Sequence, residues 1–145
     1  MSHLAHFQQF VGKKFPEGMS GFTAWLDGTL LNLDEQSMQM SFEVREDMLN
    51  PIGFLHGGVH AAILDELSGF LVATLPLDTW YVSVNLTVDY FGKVGLGEKI
   101  VAQSILKRVG KTIIHVESEL KNEKGELVSR STSNLANTHK PKNVI

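Results

Sequence analysis

The chain has 145 residues, 43% of them hydrophobic, with 13 basic and 16 acidic side chains and a formal net charge of -3. That length suffices for one domain with a real core, and the charge balance supplies no broad cationic face for nucleic acid or an anionic membrane surface. With no cysteine in the chain, disulfides and thiolate metal sites are excluded, and a reducing cytoplasm is the expected location.

From the N-terminus, residues 2–10 predict a short helix carrying Leu4, Phe7 and Phe10, and Gly18–Gly21 has turn composition. No basic stretch precedes an apolar run there, and His60, Asp65, Glu66 and Ser68 interrupt the longest apolar stretch. Neither a signal peptide nor a membrane span is therefore expected. Two strands are predicted over Phe22–Leu33 and Ser37–Val44, joined across Asp34–Gln36, followed by a loop over residues 45–56 with Asn50-Pro51 and Gly53 as breakers. From Gly57 to about Thr74 the apolar residues cover nearly every side of a helix, which predicts a helix wrapped by the rest of the protein.

Beyond Pro76 the period changes to two. Val82, Val84, Leu86 and Val88 are expected on one face of a strand, with Tyr81, Ser83, Asn85, Thr87 and Asp89 on the other. Strands near 98–109, 112–121 and 126–137 follow, with Gly110-Lys111 and Lys124-Gly125 at hairpin turns, so these three form an antiparallel meander. Residues 1–145 read as one domain without repeats or a linker. The fold class is α+β, a curled antiparallel sheet around one long central helix.

The chemistry concentrates at that helix. Gly57 and Gly58 open it, and amides at a helix N-terminus can hold a carbonyl oxygen that becomes an oxyanion. Asp65 lies seven residues after Gly58, on nearly the same face but ~10 Å along the axis. One carbonyl carbon cannot touch both groups. If both serve one reaction, Asp65 comes from a second chain, and a two-fold pairing of antiparallel helices would bring each acid to the other helix's N-terminus.

Simpler readings stand beside this one. The glycine pair fits tight packing, His56 fits a helix cap, and one of Asp65 and Glu66 fits a solvated helix edge. His56 and His60 have the i, i+4 spacing of a metal pair, yet Asp65 falls on the opposite side from His56, so no metal site is expected. No G-x-S-x-G elbow is present.

The run Asn50-x-x-Gly53-x-x-His56-Gly57-Gly58, with Asp65 nine residues after the histidine and Val82-Ser83-Val84-Asn85-Leu86 after the helix, resembles the hotdog-fold acyl-CoA thioesterases. The likeness is to the phenylacetate-degradation (PaaI-like) and 4-hydroxybenzoyl-CoA thioesterase branch. The resemblance implies hydrolysis of an aryl- or fatty acyl-CoA, with Gly57, helped by Gly58, presenting its amide to the thioester carbonyl. It further implies that His56 and Asn50 shape the loop and leaving-group side, that the partner's Asp65 is nucleophile or base, that Ser83 holds the water or carboxylate, and that Glu66 is the reserve acid. A carboxylate in an apolar pocket is expected to have a raised pKa.

No cofactor is implied, because coenzyme A belongs to the substrate; its phosphates would call on Lys93, Lys107, Arg108 or Lys111. The acyl pocket would be lined by Phe54, Leu55, Leu67, Phe70 and Trp80. The partners implied are an acyl-CoA and a second copy of the chain, with a homotetramer as a further expectation. A non-catalytic acyl-CoA binder and a hydroxyacyl-thioester dehydratase are the alternatives.

Overall fold

The computed structural model describes residues 1–15 and 18–143. It contains helices α1 (His3–Gln8), α2 (Gly21–Leu26) and α3 (Gly57–Thr74), and strands β1 (Thr29–Leu33), β2 (Ser37–Glu43), β3 (Thr79–Tyr90), β4 (Lys99–Val109), β5 (Ile113–Asn122) and β6 (Leu127–Pro141). The strands form one antiparallel sheet in the order β1-β2-β4-β5-β6-β3. The sheet curls around α3, which packs against five of the six strands. This is the hotdog arrangement.

The α3 helix starts where His56 caps it and ends at Leu75, whose extended backbone precedes Pro76, a residue that cannot continue a helix. Ile63, Leu64, Leu67 and Leu71 are fully buried on its sheet-facing stripe, each stabilising the fold by ~1.5–3 kcal/mol. Wrapping is not complete, however. Ala61, Ala62, Asp65, Glu66, Gly69, Phe70 and Ala73 are only half-buried, and the last five of these face a cleft instead of the sheet.

Two further expectations are corrected. The stretch Phe22–Leu33 is not one strand: Gly21–Leu26 is helical, with Ser20 Oγ accepting from the Thr23 amide and Asp27 ending the turn in the left-handed region at φ 56°. A cap serine with buried Thr23 and Leu26 at i, i+3 spacing outweighs the weak alternation there. In β3 the strict alternation also fails. The register against β6 shifts between Ser83 and Asn85, and this bulge reverses which parity faces inward. Ser83, Leu86, Val88 and Tyr90 each stand opposite a buried β6 residue (Leu135, Ser133, Ser131 and Ser129) and share the helix-facing side. Val82 and Val84 are exposed at 53% and 57%, beside the free edge of the sheet.

Between α2 and β1, buried Gly28 leaves room for the Phe42 ring and for the Met40 methyl, which would lie 2.7 Å from an added Cβ. Gly28→Ala is expected to cost ~1–3 kcal/mol through overpacking, read as a lower urea midpoint with an unchanged slope.

Candidate active site

The loop before α3 is tied by hydrogen bonds and anchored by Met48 and Leu55 in the core. Asn50 Oδ1 accepts from the amides of Ile52 (3.1 Å) and Phe54 (3.0 Å), and the Asn50 amide donates to the Phe54 carbonyl at 2.7 Å. Gly53 supplies the left-handed turn at φ 89°, a conformation that favours glycine. The Leu55 amide donates to the Val94 carbonyl and the His56 amide to the Met48 carbonyl, both at 2.8 Å, which fixes the loop to its neighbours.

His56 is the N-cap of α3, and its Nδ1 accepts from the Gly58 amide at 2.8 Å. Nδ1 is therefore unprotonated in this arrangement, leaving the exposed Nε2 as the donor. The Gly58 amide is thereby engaged, which counts against its acting as a second oxyanion donor. An added Cβ at Gly58 would stand 3.0 Å from His56 Nδ1, so this glycine makes room for the cap. Among the described residues the Gly57 amide has no partner. It is a free donor at the positive end of an 18-residue helix.

Asp65 lies eight residues beyond Gly57 on the same helix, ~12 Å along the axis. Ser83 Oγ donates to Asp65 Oδ1 at 2.8 Å within the same chain. Both line a cleft of about 390 Å³ with Thr23, Glu66, Phe70 and Trp80, and its floor is opened by Gly69 and Ala73. Asp65, Gly69 and Ala73 recur at i, i+4 and i+8, so the cleft was written in the sequence as one small-residue face of the helix. Asn50, His56 and Gly57 do not line it.

Glu66 sits beside Asp65 and accepts from Thr23 Oγ1. Burial pushes the Glu66 carboxyl up and the neighbouring Asp65 charge adds to this, against the opposing hydrogen bond from Thr23. Of the expected acyl-pocket residues, Phe70 and Trp80 face the cleft. Leu55 and Leu67 do not: at 3% and 0% exposure they belong to the core. Phe54 instead carries the Lys93 ammonium 4.7 Å from its ring centroid, near the start of α3. Lys107 pairs with Glu117 at 3.4 Å, whereas Arg108 is exposed with no carboxylate partner among the described residues. Arg108 and Lys111 lie at the end of the sheet nearer Tyr81, whose hydroxyl donates to the Lys111 carbonyl.

Two residues take roles at the site that the sequence did not assign them: His60, weighed there only as a metal ligand, and Tyr90. His60 is 3% exposed, with Nδ1 2.9 Å from Ser129 Oγ, and its ring meets Tyr90 edge-to-face at 5.2 Å. Burial pushes the His60 pKa down, against the Leu55 carbonyl. Tyr90 donates to the Gly57 carbonyl at 2.7 Å. With His56 and His60 engaged in this way they do not converge as a ligand pair, and no group of three metal-binding side chains gathers among the described residues. Nor, among those residues, is any helix long and apolar enough to cross a membrane.

The family model for the thioesterase superfamily matches residues 52–129. Human acyl-coenzyme A thioesterase 13 is 30% identical over 112 residues, covering 75% of this chain and 80% of that protein. The structure of the Escherichia coli PaaI protein from the phenylacetic acid degradation operon superposes with a TM-score of 0.80 at 17% identity, covering 95% of this chain and 93% of that one. A Streptococcus mutans protein bound to acetyl CoA superposes with a TM-score of 0.73 at 22% identity, covering 79% and 91%. The hotdog fold and the matching family model place the chain among the thioester hydrolases. The chain belongs to the thioesterase superfamily.

The Glu66 shift sets a pH-dependent prediction. Its folded pKa lies above its unfolded value, so the penalty for burying the charge is absent below the unfolded pKa and grows as pH rises through the folded one. Glu66→Gln should melt higher than wild type at pH 7, with the gain shrinking toward zero near pH 4. Thermal midpoints of both proteins across that range check it.

Proposed function

We propose that the protein hydrolyses acyl-CoA thioesters at two equivalent sites in a dimer, each joining Gly57 of one chain to Asp65 of the other. The carrying observation is the unpartnered Gly57 amide at the start of α3, on the same helix as the Ser83-held Asp65 but a full ~12 Å away. A donor and a base that far apart cannot serve one carbonyl carbon. The cleft holding Asp65 lacks Gly57, which accords with a site completed by a second copy. The β3 strand supports that assembly: it is a 12-residue free edge bearing exposed Val82 and Val84, and unpaired edges of this kind invite pairing. Joining two β3 edges about a two-fold axis continues the sheet and sets the α3 helices antiparallel.

In this reaction the thioester carbonyl oxygen accepts from the Gly57 amide, and the helix dipole favours the negative charge that develops there. Asp65 takes a proton from water as the water oxygen bonds to the carbonyl carbon, with Ser83 orienting the carboxylate. Collapse of the tetrahedral intermediate breaks the C–S bond and releases the acid and coenzyme A, whose thiolate takes up the proton. Nucleophilic attack by Asp65 itself, through an anhydride that water then opens, uses the same two groups. Asn50 and His56 hold the loop on the leaving-group side, and Lys93 and Arg108 meet the coenzyme phosphates. Phe70, Ala73 and Trp80 receive the acyl group, and their apolar, aromatic surfaces suit aryl or fatty chains. Glu66, held by Thr23, remains the reserve acid.

Gly57→Pro removes the amide N–H and puts its ring carbons in the space before it. His56 already has the extended backbone a following proline requires, at φ -61° and ψ 136°, and proline is well tolerated at the first helical position. Thiol release from a panel of aryl and fatty acyl-CoAs should fall ~100-fold in kcat for Gly57→Pro and at least as much for Asp65→Asn, with both proteins folded and of wild-type size. A Gly57→Pro enzyme with wild-type kcat would remove the amide from the mechanism.

A further inference from the structure

We propose that Tyr90, braced by His60 and Ser129, is a positioning residue that locks the first peptide of α3 and so orients the oxyanion site. The inference rests on the reading of Gly57 as the oxyanion donor and names the residues that set that donor's direction.

A peptide group is planar, so holding its N–H and its C=O from opposite sides fixes the whole plane. The Gly57–Gly58 peptide is held in this way. Its N–H donates to His56 Nδ1 at 2.8 Å and its C=O accepts from the Tyr90 hydroxyl at 2.7 Å. The preceding peptide is also held, since the His56 carbonyl accepts from the amides of Val59 (2.8 Å) and His60 (3.1 Å). The Gly57 N–H belongs to this preceding peptide, shares Cα with the clamped one, and has no partner among the described residues. Glycine has the widest backbone freedom of any residue, so an oxyanion donor on Gly57 needs such external restraint to stay preorganised.

Tyr90 is itself held. Its ring meets the His60 ring edge-to-face at 5.2 Å with an interplanar angle of 79°. His60 is buried and bonded through Nδ1 to Ser129 Oγ at 2.9 Å, and Ser129 is the register partner of Tyr90 across the β3–β6 pair. The ring lies over Gly57 closely enough that an added Cβ there would be 3.4 Å from it.

The β3 bulge makes this geometry possible. Ser83 and Tyr90 have opposite parity, so an unbroken strand would turn one of them away from α3. The register shift between Ser83 and Asn85 turns both toward it. One irregularity thus aims Ser83 at Asp65 in the middle of the helix and Tyr90 at Gly57 at its start, the two points that carry the proposed chemistry.

Tyr90→Phe removes the hydroxyl and keeps the ring against His60. Two readouts test the role, one of them independent of the reaction. Hydrogen exchange of the Gly58 amide, followed by NMR in the intact protein, should quicken at least about fivefold while the thermal midpoint stays within about 2 °C of wild type. In acyl-CoA hydrolysis, kcat should fall about tenfold with KM within twofold, the split expected when a transition-state interaction is misaligned. Unchanged Gly58 exchange overturns the clamp. An unchanged kcat in Tyr90→Phe, alongside an impaired Gly57→Pro, overturns the catalytic role while leaving the hydrolase reading intact. A wild-type protein idle on every thioester would instead fail that reading first and take the catalytic role with it.

Discussion

The pitch of one α-helix governs this molecule. A rise of ~1.5 Å per residue separates the Gly57 amide from the Asp65 carboxylate by ~12 Å, and no side-chain rotamer closes that gap within a chain. The rest of the arrangement answers to this separation. The sheet curls to bury one stripe of α3, while the opposite side carries Asp65, Gly69 and Ala73 into an open cleft. The strand beside that cleft is the free edge of the sheet, with its valines exposed. In the proposed function, these are the two halves of one site and the surface on which a second copy unites them.

Within each half, local bonding decides which groups are available. At the helix N-terminus two successive glycines differ in role because His56 caps the second, so the Gly58 amide is spent and that of Gly57 is free. At the cleft two adjacent acids differ because their neighbours differ. Asp65 accepts from Ser83, whereas Glu66 accepts from Thr23 and is pushed toward its neutral form by burial.

Much of this was legible in the sequence. The bounds of α3 followed from the glycine pair and Pro76, and the β4-β5-β6 meander from its two glycine turns, because those signals are local. The motif of Asn50, His56, Gly57 and Asp65 also drew attention to α3, on which the proposed chemistry rests. What could not be read depended on contacts between distant segments. The α2 helix was hidden because six residues give too short a window for periodicity, although Ser20 and Asp27 bracket it as caps. The β3 bulge leaves no mark on the alternation of Tyr81 to Val88, and missing it put Ser83 and Tyr90 on opposite faces. Leu55 and Leu67 resemble pocket residues by type, but the curl of the sheet places them in the core.

The central claim is that each active site takes Gly57 from one chain and Asp65 from the other, and subunit mixing tests it directly. Gly57→Pro and Asp65→Asn chains, each nearly idle alone, would be unfolded together, refolded as a one-to-one mixture and assayed for thiol release from an acyl-CoA. Random reassortment makes half the dimers mixed, each with one intact site, so the account predicts recovery to about a quarter of the wild-type rate. A mixture as idle as its parents, with mixed dimers verified by mass, would contradict a shared site.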